Sequence, residues 1–267
     1  MPESENREFF FRFDATPFYA EKRWLLGCGP VGGKARGLAF AHRALSENAL
    51  SASVRFPPVT LAVGADVFLG FLADNAMDWV YDEPDWTRIA IAFSKGRFRE
   101  SLTADIGRGL AKLGDAPVAI RSSSVLEDSI RLSFAGKYDT CFSANTGTPV
   151  RRMREIGDSL RTVWASLFKP APRAYRAKHG CRDRDEAMAV LIQPIMGTLR
   201  DDLYYPELAG AAFSRVYRRP TPRVRKEDGV VRLCFGLGTR TVERSNARVF
   251  YLTNPDLRPE GNQPREI

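Results

Sequence analysis

The sequence predicts an α+β fold made of two mixed helix and sheet subdomains. Its 267 residues suffice for one large domain or two modest ones. A hydrophobic fraction of 44% is normal for a chain that buries a core. Helical and extended patterns mix up to about residue 181, and strand patterns dominate after it. We therefore expect residues 1–181 to form the first subdomain and residues 182–267 the second.

Four helices are predicted in the first subdomain, because apolar residues recur there at a helical spacing. The glycine pair Gly32-Gly33 precedes the first of them, Gly114 ends the third, and Pro170 breaks the chain after the fourth. The predicted helices are 34–46, 65–75, 98–113 and 150–167.

Strands are predicted where short apolar or alternating runs occur. In the first subdomain, 118–120 is a short buried strand, and 24–26 is extended. The second subdomain contains four predicted strands, and an apolar run that ends at Pro194 is the first of them. They are 188–195, 209–213, 231–235 and 248–252.

The charge balance predicts affinity for anions. The formal net charge is +8, which suits nucleotides, nucleic acid or acidic surfaces. One basic cluster contains prolines and is therefore predicted to be a loop, either solvated or in contact with phosphate groups. It comprises Arg215, Arg218, Arg219, Arg223, Arg225 and Lys226.

Several classes of protein are disfavoured. No apolar run approaches the roughly 18 residues of a membrane span, and the N-terminus lacks the apolar segment of a signal peptide. The four cysteines form no C-x-x-C pair, which disfavours a zinc site or a disulfide framework. A cytoplasmic protein with no membrane partner is expected.

Two glycine motifs fall short of known nucleotide fingerprints. Residues 27–32 match G-x-G-x-x-G, but the acid at the required distance, Glu47, lies at the tail of a helix rather than at the end of a strand. A P-loop would need a serine or threonine where Ala35 stands. What remains is Gly32-Gly33-Lys34 at a helix start, which is either an anion site or a surface turn.

The strongest signal for function is the segment 118–142. Arg121 follows a buried strand, three serines follow it, and Gly136, Lys137 and Thr140 come later. An arginine held by a strand can grip phosphate oxygens in a fork, and glycine allows the backbone to approach a ligand closely. The segment therefore predicts a cationic strand end followed by a flexible polar loop that binds a polyphosphate and its metal ion.

This segment resembles the signature of the ATP-binding domain of phosphoenolpyruvate synthase and pyruvate phosphate dikinase, which rifampin phosphotransferases and glucan water dikinases share. The usual form reads V-A-V-R-S-S-A-T-x-E-D, a short spacer, then S-F-A-G-Q-Q-D-T. Five more segments match the family in order along the chain. They are G-G-K at 31–35, W-A-S-L-F and Y-R-x-x-x-G at 163–180, M-A-V-x-V-Q at 188–193, S-G-V-x-F-[ST]-R at 209–215 and W-G-L-G at 235–238.

The resemblance implies an ATP-grasp architecture, in which ATP lies between two α+β subdomains, and implies ATP and Mg²⁺ as cofactors. Two cations would contact the phosphates, three loop residues would cover them, and a glutamine with the backbone after it would lie near the adenine. In this chain the cations are Lys34 and Arg121, the loop residues are Gly136, Lys137 and Thr140, and the glutamine is Gln193. The resemblance also names Arg215 as a further nucleotide-binding candidate.

The chain departs from the family in ways that affect the site. Lys137 replaces the usual glutamine and adds a charge, and Pro194 removes a backbone donor. The family's metal-binding acid and Q-S-R motif lie on a later strand pair. Residues 263–265 are not accepted as that motif, because no apolar strand precedes them. The second subdomain is therefore expected to be incomplete, and the metal ligands are unknown.

The expected function is that of an ATP-binding module of a phosphotransferase similar to phosphoenolpyruvate synthase and pyruvate phosphate dikinase. In that reaction type, ATP phosphorylates a histidine on another domain, and the phosphate then passes to pyruvate. His42 and His179 are expected to be structural, so we assign no catalytic residue and expect no turnover in isolation. The partners would be phosphohistidine and pyruvate-binding domains. The alternative is a non-catalytic nucleotide-sensing or interaction domain of a larger signalling protein, and nucleic-acid binding is the least favoured.

Overall fold

The computed structural model describes residues 12–47, 54–126, 136–217, 219, 221–236, 238 and 247–257. The chain divides into two compact units, Met1–Ile195 and Met196–Ile267. This boundary corrects the one expected near residue 181. The strand Met188–Pro194, which was assigned to the second subdomain, pairs with strands on both of its sides within the first unit.

The first unit contains seven α-helices among its described residues, together with three short 3₁₀ helices. The α-helices are α1 (Thr16–Glu21), α2 (Gly32–Ser46), α3 (Ala65–Asp74), α4 (Trp86–Lys95), α5 (Glu100–Leu113), α6 (Pro149–Ala165) and α7 (Pro170–Lys178). The 3₁₀ helices are Asp78–Tyr81, Ser166–Phe168 and Asp183–Asp185. All four predicted helices are confirmed within a few residues, whereas α1, α4 and α7 were not among the predicted helices.

The helices surround one five-stranded sheet in the order β1-β2-β5-β3-β4. Its strands are β1 (Leu25–Leu26), β2 (Leu61–Val63), β3 (Val118–Ser124), β4 (Thr140–Ser143) and β5 (Met188–Pro194). The β1–β2 pair is parallel, and all other neighbours are antiparallel. The mixed helix and sheet class predicted from the sequence is therefore confirmed.

Helices cover the sheet unequally on its two faces. One face places Ile120, Val190 and Ile192 against the main core, to which α3, α4, α5 and α6 contribute. On the other face, Ala62 and Leu191 pack against α1 and the alanines of α2 in a smaller cluster. Because β5 is covered on both faces, its run of residues 188–192 is apolar throughout and buried. On this second face, the side chains of Arg121 on β3 and of Thr140 and Phe142 on β4 are exposed.

The strand β3 is longer than predicted. The sequence indicated a strand of three residues followed by a flexible polar loop, but β3 continues through the three serines to Ser124. All seven residues of β3 pair with β5, and this pairing overrides the low strand propensity of serine. Arg121 therefore lies in the middle of a strand rather than at its end.

The second unit contains two small antiparallel sheets among its described residues. The order of the three-stranded sheet is β10-β9-β8, and β6 pairs with β7 in a two-stranded sheet. The strands are β6 (Thr198–Arg200), β7 (Leu203–Tyr205), β8 (Leu208–Phe213), β9 (Val230–Phe235) and β10 (Arg248–Tyr251). The predicted strand-rich character is confirmed. A membrane-crossing helix does not occur in the described part of the chain.

Candidate functional site

Arg121 is the exposed residue of an otherwise buried strand. In β3, the three residues before it and the three after it are all buried. A long cationic side chain at such a position is fixed at its backbone by pairing on both sides, with β4 and with β5. Its guanidinium remains accessible to an anionic ligand, and guanidinium geometry matches phosphate oxygens.

Three neighbours share this face of the sheet with Arg121. Thr140 is its register partner on β4, and both side chains are exposed. Nη1 of Arg121 donates a hydrogen bond to Oε1 of Gln193 on β5, at 3.2 Å. The exposed ring of Phe142 and the half-buried Gln193 both flank Ala119, one rung along the ladder. The structure thus brings together Arg121, Thr140 and Gln193, which the sequence predicted from two separate segments.

Ser123 joins β3 to the start of α2. Its buried hydroxyl donates to the carbonyl of Val31 at 2.7 Å and accepts from the backbone N–H of Ala35 at 3.0 Å. Gly32 has a φ of 77°, and a Cβ on it would lie 1.6 Å from the carbonyl oxygen of Ser123. Glycine is therefore required here both for its backbone conformation and for the close approach of the helix to the strand.

The contact between Ser123 and α2 places Lys34 beside β3, the strand that carries Arg121. Nζ of Lys34 donates to Oγ of Ser122 at 3.2 Å, and Ser122 is the residue next to Arg121. The predicted helix start at Gly32-Gly33-Lys34 is confirmed. Ser123 was missed in the sequence as a structural residue, and its only signal was its membership of the three-serine run.

The predicted loop residues Gly136, Lys137 and Thr140 lie in or next to the turn before β4. Gly136 is exposed and has a φ of 71°, a conformation that favours glycine. Lys137 follows it, with Nζ 4.4 Å from the centre of the Tyr175 ring on α7, a cation–π contact. Gly136 and Thr140 therefore flank the turn, whereas Lys137 contacts α7. The acidic pair Glu127-Asp128 of the predicted motif lies outside the described residues.

The G-x-G motif binds a carboxylate of this same chain. Oδ2 of Asp66 accepts from the backbone N–H of Cys28 at 2.9 Å, and Oδ1 accepts from that of Gly29 at 2.7 Å. A Cβ on Gly27 or Gly29 would lie within 3 Å of this carboxylate. Burial opposes ionisation of Asp66, but hydrogen bonds from the backbone N–H groups of Cys28 and Gly29, the Cys28 thiol and its own backbone together lower its pKa. This contact gives the motif a structural purpose without a dinucleotide.

Arg215 lies in the second unit, directly after β8, and is half-buried. The loop that follows has some internal order. Val216 and Val224 are buried together with Tyr251. Arg225 forms an ion pair with the buried Asp228 at 3.2 Å. The basic cluster is thus partly folded around apolar side chains, and Arg218 lies outside the described residues.

Both histidines contact aromatic rings. The ring centre of His42 lies 5.1 Å from that of Phe18 and 4.6 Å from that of Phe56. Burial, followed by the nearby Lys22 charge, lowers the pKa of His42. The ring of His179 lies 4.5 Å from that of Tyr175. Among the described residues, no three His, Cys, Asp or Glu side chains are grouped so as to hold a metal ion.

Comparison with known proteins identifies the family. Residues 29–260 match the family described as pyruvate phosphate dikinase, AMP/ATP-binding domain. Because this match covers most of the chain, the protein belongs to that family. It is an ATP-binding module of the kind found in phosphoenolpyruvate synthase and pyruvate phosphate dikinase, as its resemblance to the family indicated.

Individual relatives agree with this assignment. The chain is 27% identical to a phosphoenolpyruvate synthase of Deinococcus radiodurans over 243 residues, which are 85% of this chain and 28% of that protein. It is 32% identical to a rifampicin phosphotransferase of Streptomyces sviceus over 159 residues, 59% of this chain and 15% of that protein. A phosphoenolpyruvate synthase of Neisseria meningitidis is 25% identical over 228 residues, 82% of this chain and 25% of that protein. The chain thus spans less than a third of each of these relatives.

Proposed function

We propose that this chain binds ATP through an ATP-grasp-like fold and supplies it to a phosphotransfer reaction of the phosphoenolpyruvate synthase and pyruvate phosphate dikinase type. In this reaction ATP phosphorylates a histidine on another domain, and that phosphate passes to pyruvate. Membership of the AMP/ATP-binding family supports nucleotide binding. The two units would correspond to the two ATP-grasp subdomains, with the boundary after Ile195.

The single observation that carries the proposal is the exposure of Arg121 in the middle of a buried strand. Among the described residues, the only side-chain hydrogen bond of Arg121 goes to a neutral amide, that of Gln193, and no carboxylate there pairs with its charge. An anionic ligand would accept hydrogen bonds from the other guanidinium N–H groups of Arg121. We therefore assign Arg121 to the phosphates, together with Lys34, whose ammonium is held next to the same strand.

The other predicted residues complete this assignment. Gly136, Lys137 and Thr140 would cover the phosphates, and Lys137 would leave the ring of Tyr175 to do so. Gln193 and the backbone after it would contact the adenine, and the exposed ring of Phe142 offers a surface on which a base can stack. Arg215 of the second unit would add a further cation.

Magnesium would enter with the nucleotide rather than at a site formed by the described residues. These residues provide no group of carboxylates suited to a divalent cation. Mg²⁺ prefers oxygen ligands, which the phosphates themselves supply, and it keeps several waters in most sites. When bound, the ion would neutralise phosphate charge, and the cationic side chains of this chain would orient the phosphates.

The phosphate acceptor would lie on a separate domain. Both histidines here pack against aromatic rings, which suits structural roles rather than phosphoryl transfer. The partners we propose are a phosphohistidine domain and a pyruvate-binding domain, in the same or another chain. We place the protein in the cytoplasm, where ATP is abundant and cysteines such as the four free ones here remain reduced.

Calorimetry with MgATP tests the site. We expect Arg121→Ala to weaken binding about 10- to 100-fold, as a charge-assisted hydrogen bond of about 1.5–3 kcal/mol implies. Arg108→Ala is the matched control, because Arg108 is also exposed but lies on α5, where it pairs with Asp105. Equal binding by the wild type and Arg121→Ala would reject the site assignment.

The alternative, a non-catalytic nucleotide sensor, makes a different prediction. If separately produced phosphohistidine and pyruvate-binding domains are added, a transferase module should support ATP-dependent formation of phosphorylated histidine. A sensor should bind MgATP with the same affinity and leave the histidine unmodified. Phosphohistidine formation that requires Arg121 would therefore exclude the sensor.

A further inference from the structure

Glu186 is a buried carboxylate that bonds two segments of the candidate site. It lies between the 3₁₀ helix Asp183–Asp185 and β5, and only 1% of its surface is exposed. Oε1 accepts from the backbone N–H of Leu126 at 3.1 Å and from that of Ala187 at 3.0 Å. Oε2 accepts from the hydroxyl of Tyr138 at 2.9 Å. One side chain thus holds the residues just after β3 and just before β4.

A fully buried arginine supports these hydrogen bonds of Glu186. Nη1 of Arg176 donates to the hydroxyl of Tyr138 at 3.1 Å, and Nη2 donates to the carbonyl of Leu167 at 2.7 Å. Its Nε donates to Asp183 at 2.9 Å. The tyrosine hydroxyl therefore accepts from a cation and donates to a carboxylate, which fixes its orientation. Such a fully bonded polar network is rigid, because each partner it loses would leave a buried group unsatisfied.

The titration behaviour of the network agrees with this geometry. Burial raises the pKa of Glu186, and the N–H of Leu126 and the hydroxyl of Tyr138 oppose that shift. Burial also raises the pKa of Tyr138, as does the nearby Glu186 charge, so the tyrosine keeps its proton and remains a donor. The network costs solvation, and packing alone could be achieved by apolar residues. A positional requirement on the joined segments accounts for that cost.

We propose that Glu186 is a positioning residue for the nucleotide-phosphate site, which it serves by holding the strand of Arg121 and the turn of Gly136 at a fixed spacing. Tyr138 lies two residues after Gly136 and two before Thr140. Leu126 follows the serines that end β3. A single carboxylate therefore sets the separation of the cation and the turn without itself contacting the ligand. This inference rests on the proposed function.

The test compares MgATP affinity in the full chain and three variants, at a temperature where each is folded. Glu186→Gln keeps the volume but replaces one acceptor oxygen by an NH₂ donor, so either the Tyr138 hydroxyl or the N–H groups of Leu126 and Ala187 lose their acceptor. Tyr138→Phe removes the hydrogen bond from the turn to Glu186, and with it the one that Tyr138 accepts from Arg176. Leu110→Ala, in the core at α5, is a control for loss of stability alone. We expect Glu186→Gln to raise the dissociation constant about tenfold, Tyr138→Phe to raise it less, and Leu110→Ala to leave it unchanged.

A double variant separates positioning from general destabilisation. If Glu186 acts through Tyr138, the Glu186→Gln, Tyr138→Phe pair should bind MgATP about as well as Glu186→Gln alone. Folded Glu186→Gln with wild-type affinity would overturn the assignment; if that variant does not fold, wild-type affinity in Tyr138→Phe would do so. Absence of MgATP binding by the wild type would instead overturn the proposed function and, with it, this inference.

Discussion

Gly32 is predicted to be the glycine whose replacement costs most, and Gly37, in the same helix, is the natural comparison. Gly32 has a φ of 77°, and its missing Cβ would lie 1.6 Å from the Ser123 carbonyl oxygen. Gly37 lies in the body of α2, and an added Cβ there meets no atom within 4 Å. The two substitutions to alanine add the same atom to one helix, so the difference between them measures the left-handed backbone of Gly32 together with its contact with β3.

The expected magnitudes follow from these geometries. A side chain in the left-handed region costs about 1–2 kcal/mol. The clash requires the helix start to retreat by about 1.5 Å or more to reach a normal contact distance. That shift would break the two hydrogen bonds of the Ser123 hydroxyl, and each buried group left unpaired costs about 1–3 kcal/mol. We expect Gly32→Ala to lose about 3–6 kcal/mol and Gly37→Ala to gain about 0.5–1 kcal/mol from helix propensity.

Urea denaturation at 25 °C measures both variants. Two units can unfold separately, so the transition of the first unit is followed by the fluorescence of Trp164, with the other three tryptophans replaced by phenylalanine in every variant. The midpoint should fall for Gly32→Ala and rise slightly for Gly37→Ala, with an unchanged slope. A Gly32→Ala protein within about 1 kcal/mol of its parent would refute the reasoning, because that difference is smaller than the conformational cost alone.

Two further predictions concern the glycine loop and the aromatic ring beside the site. Asp66→Asn should destabilise the first unit by about 1 kcal/mol at pH 7, a value discounted because the carboxylate is half-exposed. Since folding lowers the pKa of Asp66, its contribution to stability is present above about pH 4 and is lost as the pH falls through the folded pKa. The denaturation midpoints of the wild type and Asp66→Asn should therefore converge in acid. A difference that stays constant with pH would contradict this. Phe142→Ala should change stability by less than about 0.5 kcal/mol, because 66% of the side chain is exposed. In calorimetry, Phe142→Ala should weaken MgATP binding about 5- to 100-fold. Magnesium tripolyphosphate has no base to stack, so it should bind the wild type and the variant equally. An equal loss of affinity for both ligands would show that the ring does not act on the base.

The helices of the first unit were largely predictable because their local patterns agree with their packing. In α5 and α6, Ile106, Leu110, Ile156, Leu160 and Val163 recur at a helical spacing and are buried in the core. The missed helix α4 also carries a usable signal. Trp86, Ile89 and Phe93 recur at a helical spacing, and Asp85 caps the first turn by accepting from the N–H of Thr87 at 2.8 Å. That helix could have been found from the sequence.

The extension of β3 and the domain boundary were not predictable from local patterns. Serine has no strong preference for strands, and Ser122–Ser124 become strand residues because β5, about 65 residues later in the chain, pairs with all of β3. The same pairing assigns β5 to the first unit, although it lies among the strands of the second region in sequence. Both errors arose because sheet partners are chosen by tertiary contacts.

The candidate site was predicted as a set of residues but not as an arrangement. The resemblance named Lys34, Arg121, Thr140 and Gln193 without showing what joins them. The structure adds the joints: Ser123, 92 residues from the Val31 carbonyl that it bonds, and Asp66, 38 residues from Cys28. Contacts of such long sequence separation leave no local signal. Residue types that hold a site are therefore harder to predict than those that face the ligand.

Because Ser123 bonds β3 to the start of α2, we expect a substitution at Gly32 to lower both the stability of the first unit and its affinity for MgATP. Lys34 lies two residues after Gly32 in the first turn of α2, and Arg121 lies two residues before Ser123. Retreat of the helix start would therefore move one phosphate-binding cation relative to the other. Gly32→Ala should weaken MgATP binding at least about tenfold even in conditions where it is fully folded, whereas Gly37→Ala should bind as the wild type does. Wild-type affinity in folded Gly32→Ala would show that Lys34 and Arg121 do not act on one nucleotide.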